Sequence, residues 1–140
     1  MILLDTSGLL AALDQSQRAH EAAAAALLRA ESPLLLSPFV LAEMDYLLAT
    51  RVGIDAEVAF LDEVGRGAYQ LEPMSSEDVA LARVIVDRYR DLDVGLADAS
   101  IVVLAARHGV RDVLTLDERH FRVMRAADGS PLRILPADAH

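Results

Sequence analysis

Several carboxylates in this chain stand where solubility alone does not explain them. The opening stretch, ILLDTS, runs three branched apolar residues into Asp5 and follows it with two hydroxyls, Thr6 and Ser7. VLTLDERHF repeats the arrangement: Asp117 closes an apolar run, and Thr115 stands two residues earlier, on the same face of a strand. In LADASIVVLAARHG, counting about 100° per residue, Asp98 shares a helix face with Ile101, Val102 and Ala105, so its carboxylate points inward. SPFVLAEMDYLLATR carries an apolar stripe of Val40, Leu41, Met44, Leu47 and Leu48, with Glu43 on one border and Asp45 on the other. Each acid also has a plain explanation. Asp, Thr and Ser are N-cap residues, an anion is favoured in the first turn of a helix, and a border acid can simply face solvent.

Taken together the acids say more. Two ionised carboxylates about 4 Å apart repel by roughly 4 kcal/mol at an effective dielectric near 20, so a cluster of them needs a cation or strongly shifted pKa values. The chain has no Lys and no Cys, and its histidines (20, 108, 120 and 140) form no i, i+4 pair for a zinc site on a helix. An all-oxygen site for Mg²⁺ or Mn²⁺ is the simplest source of that cation, and the chemistry in outline is metal-assisted attack on a phosphate ester.

Positioning such a site requires a sheet. Short apolar runs at ILL (2–4), LLL (34–36), YQL (69–71), VLTL (113–116) and LRIL (132–135) alternate with segments of helical spacing, the βαβ pattern of an α/β domain with a parallel sheet. Ser37-Pro38 reads as an N-cap with Pro at the first helical position, Ser75 to Asp78 as a capping box, and Gly109 as the stop of a helix that begins near Ala97. Segment 16 to 30, with its five consecutive Ala, predicts a small-residue packing helix, and 79 to 90 an amphipathic or nearly buried one. Residues 1–140 read as a single domain. If the crossovers are right-handed, Asp5 and Asp117 end strands on one edge, where open α/β sheets place their sites. The two capping candidates then become possible neighbours, and if Asp5 is drawn into such a site, capping of the first helix falls to Thr6 or Ser7.

Composition narrows the function classes. No basic region precedes Asp5 and no uncharged run approaches the length of a membrane span, so the expectation is a cytoplasmic protein without membrane segments. Net charge is −9, which disfavours non-specific nucleic-acid binding. Between Ala105 and Arg125, however, five Arg stand against three acids, and Arg119, Arg122 and Arg125 recur every three residues, as a phosphate-binding helix face or as a solvated one.

The motifs MILLDTSGLLAAL, SPFVLAEMDYLL, RYRDLDVGLADASIVVLAARHG and VLTLDERHF, in this order and over nearly the whole chain, resemble the PIN-domain ribonucleases and, among them, the VapC toxins of bacterial toxin–antitoxin pairs. That resemblance implies a three-layer α/β/α domain with a parallel sheet of strand order 3-2-1-4-5. It implies catalytic, metal-binding acids at Asp5, Glu43, Asp98 and Asp117, choosing Glu43 over Asp45, with Thr6, Ser7 and Thr115 as polar companions. It also implies an Mg²⁺- or Mn²⁺-dependent endoribonuclease that is a homodimer and is blocked by a VapB-like antitoxin. The alternatives are a nuclease acting on single-stranded DNA, since the acids do not require a 2′-hydroxyl, and a catalytically inert PIN-like interaction module. A receiver domain would need a lysine and a haloacid-dehalogenase-like phosphatase a D-x-D-x-T run, and neither is present.

Overall fold

The computed structural model describes residues 1–139. Strand β1 (Ile2–Leu4) leads into α1 (Thr6–Leu13) and α2 (His20–Arg29); β2 (Leu34–Leu36) is followed by α3 (Pro38–Arg51) and α4 (Ile54–Gly65). Then come β3 (Gln70–Leu71), α5 (Ser76–Arg88), a 3-10 turn (Arg90–Leu92), α6 (Leu96–His108), β4 (Asp112–Leu114), α7 (Glu118–Phe121) and β5 (Arg133–Leu135). All strand pairs are parallel, in the order β3-β2-β1-β4-β5. Helices cover both faces in a three-layer α/β/α arrangement. β1 and β2 are accordingly continuous apolar runs, and β4 and β5 are apolar after their first residue: Leu3, Leu4, Leu35, Leu36, Val113, Leu114 and Ile134 are fully inaccessible, whereas both residues of the edge strand β3, expected as a buried run, are exposed. The order reverses between β1 and β4, which are paired at Leu3 with Val113 and Leu4 with Leu114. Just beyond their carboxyl ends lie Asp5 and Asp117.

Local chemistry sets the helix ends. Ser37 Oγ accepts from the Phe39 N–H (3.2 Å) and Pro38 occupies the first turn of α3. Ser75 and Asp78 exchange side-chain to backbone bonds in a capping box at α5. Gly109 ends α6 at φ 64°, the left-handed conformation glycine tolerates. Gly8 serves a different purpose: a Cβ there would lie 2.4 Å from the Leu114 carbonyl oxygen and 2.7 Å from Thr115 N. Only a glycine lets α1 settle directly on the end of β4.

Several expected boundaries move. The helix expected over 16 to 30 starts at His20, because Asp14 accepts from the Ser16 N–H and hydroxyl and holds residues 14–17 in a turn. The run expected as a strand over 113 to 116 stops at Leu114, since the Leu116 N–H is diverted to Ser7 Oγ (2.9 Å). Helix α5 is far from nearly buried: Ala82 alone is fully enclosed, while Val79, Leu81 and Val84 are 41%, 56% and 45% exposed. Its apolar spacing serves two faces, one on α6 and one on the surface. Among the described residues no helix is long and apolar enough to cross a membrane.

Candidate metal centre and active site

Asp5 is 4% exposed, which for a carboxylate demands compensation. Thr115 Oγ1 donates to its Oδ2 at 2.6 Å and Ser7 Oγ donates to the same oxygen at 2.8 Å. The two hydroxyls in turn accept from the backbone of the next strand end, Thr115 from Asp117 N (2.9 Å) and Ser7 from Leu116 N (2.9 Å). Residues 115–117 are therefore laced to Asp5 through one carboxylate oxygen, and Oδ1 is left for a ligand. Burial, opposed by the two hydroxyl bonds and reinforced by the charge of Asp98, raises the Asp5 pKa to about 6. Such a group keeps its proton to a higher pH than an ordinary carboxyl, and a neighbouring cation would draw that proton off.

The capping expectation fails in an informative way. Asp5 itself occupies the N-cap position of α1 yet makes no side-chain cap bond, and neither hydroxyl replaces it. Ser7 is spent on Asp5, and Thr6 Oγ1 donates to Glu43 Oε1 at 2.7 Å. That bond brings α3 to the strand edge. Glu43 lines the cleft with Asp5, whereas Asp45 is not among the lining residues and lies beside Glu57, whose carboxyl it raises above its usual range. A buried relay fixes α3 against α6. Since Ser100 Oγ donates to the Ala97 carbonyl (2.6 Å), Ser37 Oγ must donate to Ser100 (2.7 Å) while accepting from Phe39.

Helix α6 is buried almost all round, and Asp98 in its first turn is the exception that faces the cleft. Burial raises its pKa; the nearby His120 lowers it and Asp117 raises it. Asp117 combines both readings of a strand-end acid. One oxygen caps α7, accepting from His120 N at 3.1 Å, and the other lies 2.9 Å from His120 Nδ1. The same Nδ1 is 3.0 Å from Asp98 Oδ2. His120 had no place among the expected site residues; the signal was its position three residues after Asp117, where one helical turn returns a side chain to the cap.

A cleft of about 630 Å³ unites Asp5, Thr6, Ser7, Glu43, Asp98 and Asp117. The arginines expected to carry phosphates do not join them. α7 ends at Phe121, so residues 119, 122 and 125 never form one helical face, and Arg122 is committed to Glu118 and Asp138 at 2.8 Å each. Arg119 and Arg125 are exposed but lie outside the cleft lining. The cation that does line the cleft is Arg51, for which no ion pair occurs among the described residues. It stands eight residues after Glu43 with Leu47 between, a helical register legible in the sequence.

The donor set fits a divalent cation. Oxygens of Asp98 and Asp117 and a nitrogen of His120 lie within 4.8 Å of one another, and the buried Asp5 carboxylate adjoins them. The PIN domain family model matches residues 2–126. The chain belongs to the PIN-domain family. Within that family it is 42% identical over 135 residues to Ribonuclease VapC26 of Mycobacterium tuberculosis, an alignment covering 96% of this chain and 100% of the relative. Among solved PIN-like structures, the Mycobacterium tuberculosis toxin VapC20, described as cleaving the sarcin-ricin loop, superposes with a TM-score of 0.78 at 21% identity, over 84% of this chain and 90% of that one. FitAcB from Neisseria gonorrhoeae superposes at 0.53 and 19% identity, over 78% and 83% of the two chains. At those identities both show the fold alone.

Proposed function

We propose that this chain is a metal-dependent endoribonuclease, the toxin of a type II toxin–antitoxin pair, acting as one domain over residues 1–140. The observation that carries the reading is the convergence of Asp5, Glu43, Asp98 and Asp117 on one cleft at the point where strand order reverses, in a chain 42% identical to a VapC ribonuclease. Asp5, Asp98 and Asp117 would hold Mg²⁺ or Mn²⁺, which when bound supplies an activated water and offsets charge on the phosphate oxygens.

The chain's own groups do the rest. Thr115 and Ser7 fix Asp5 and leave one oxygen for the cation. Thr6 orients Glu43, which either helps hold a second ion or accepts a proton from the attacking water. Arg51, on the wall of the same cleft, offers the scissile strand a positive charge that holds a phosphate against the acids. The exposed Tyr46 in the cleft wall, Ile54 and Val58 on α4, and Val79, Leu81 and Val84 on α5 support protein partners, an antitoxin and a second copy of the chain. The setting we infer is the cytoplasm.

Incubating the purified protein with total cellular RNA and Mg²⁺, Mn²⁺ or EDTA, then sequencing the 5′ ends produced, tests this directly. Discrete metal-dependent ends are expected. Their absence with every RNA would favour an inert binding module, and cleavage confined to single-stranded DNA would replace the substrate.

A further inference from the structure

We infer that His120 is a nitrogen ligand of the metal, making the centre a mixed oxygen and nitrogen site that favours Mn²⁺ over Mg²⁺; this rests on the metal reading of the cleft just given. Its ring nitrogens have different partners. Nε2 lies 2.6 Å from the Leu92 carbonyl, which can only accept, so Nε2 carries a proton. In the neutral ring Nδ1 is then a lone pair, and it faces Asp98 Oδ2 at 3.0 Å and Asp117 Oδ2 at 2.9 Å. Three such atoms need a positive centre among them, and a metal cation would supply it in place of a proton on Nδ1.

The spacing suits one. Donors in adjacent positions of an octahedron with bonds of about 2.0–2.1 Å are separated by roughly 3 Å. A ligating imidazole characteristically donates its other N–H to a backbone carbonyl or carboxylate, which is the bond to Leu92. The ring is also held from below, because Asp117 caps the His120 N–H. His20 and His108 are engaged elsewhere, with the Ala11 carbonyl and with Glu72. Carboxylate oxygens suit Mg²⁺ and Mn²⁺ alike, whereas imidazole nitrogen adds affinity for first-row transition ions and little for Mg²⁺.

Pulsed electron paramagnetic resonance of the intact protein loaded with Mn²⁺ alone reads the ligand nitrogen without reference to catalysis. The expected result is nitrogen modulation from a bound imidazole in the wild type, its ¹⁵N form after histidine labelling, and its loss in His120→Gln. In competition, displacing Mn²⁺ should take at least about tenfold more Mg²⁺ from the wild type than from His120→Gln, the scale on which even outer partners of a metal site act. Mn²⁺ bound with no nitrogen modulation, or equal competition curves, would overturn the assignment and leave His120 as an N–H shared by two carboxylates. Failure to bind Mn²⁺ at all would instead overturn the metal reading of the cleft. The wild-type spectrum decides even if His120→Gln folds poorly.

Discussion

Asp5 shows how a single side chain records a function in its energetics. Folding buries its carboxylate and raises its pKa to about 6 from an ordinary 3.8, so between those values the folded chain holds a proton that the unfolded chain has released. Stability contributed by that proton falls as pH rises through this window and stays lower above it. Asp5→Asn removes the penalty while keeping an acceptor for Thr115 and Ser7, and in metal-free buffer at pH 7 it should stabilise the fold by about 1–3 kcal/mol. The gain should vanish below about pH 4, as comparison of chemical denaturation at the two pH values will show. Because a cation must displace the proton, metal affinity of the wild type should climb as pH rises through about 6. Arg51 makes a second test at this scale. Arg51→Ala should weaken RNA binding and lower its salt slope by about 0.7, the single-strand value for one phosphate contact, whereas Arg122→Ala, whose charge is spent on Glu118 and Asp138, should leave the slope unchanged.

At the scale of elements, the site is precise because neighbouring segments are tied to one another by groups that do no chemistry. Gly8 lets α1 touch the end of β4; Gly8→Ala should cost about 1–3 kcal/mol by overpacking, and the displaced Thr115 should carry activity away with it, measurable as lower Tm and lower cleavage rate together. Ser100→Ala strands the Ser37 hydroxyl in the interior and should cost about 1–3 kcal/mol in denaturant unfolding. These ties also explain what the sequence did and did not disclose. Strands buried on both faces are continuous apolar runs, and caps such as Ser37-Pro38, Ser75 to Asp78 and Gly109 are local chemistry, so both are readable residue by residue. The end of β4, the shift of α2 to His20 and the close approach at Gly8 depend on side chains more than a hundred residues away or on turns that compete with helix propensity. No local window contains them.

For the whole molecule, the doubly wound order places β1 beside β4 and thereby assembles acids that lie up to 112 residues apart in the chain, from Asp5 to Asp117. That much followed from two strands ending in Asp, an inward Asp98 and motif order. The partners of those acids were harder to see. Arg spacing of three points to a helix that ends after four residues, and a lone histidine three residues after a capping Asp lacks the i, i+4 spacing by which a histidine metal pair shows in a sequence. If the cleft is a metal centre, Mn²⁺ at about 100 times its Kd should add roughly 2.7 kcal/mol to stability, visible as a rise in Tm of several degrees that Asp98→Asn abolishes. The central claim is that the converged acids are there to cut RNA with a metal. It is tested most directly by Mn²⁺-dependent RNA cleavage at equal concentrations of folded wild type, Asp98→Asn and Asp45→Asn. The rate of Asp98→Asn should fall about 100-fold or more while Asp45→Asn stays near wild type; an Asp98→Asn enzyme within a few-fold of wild type would contradict the account.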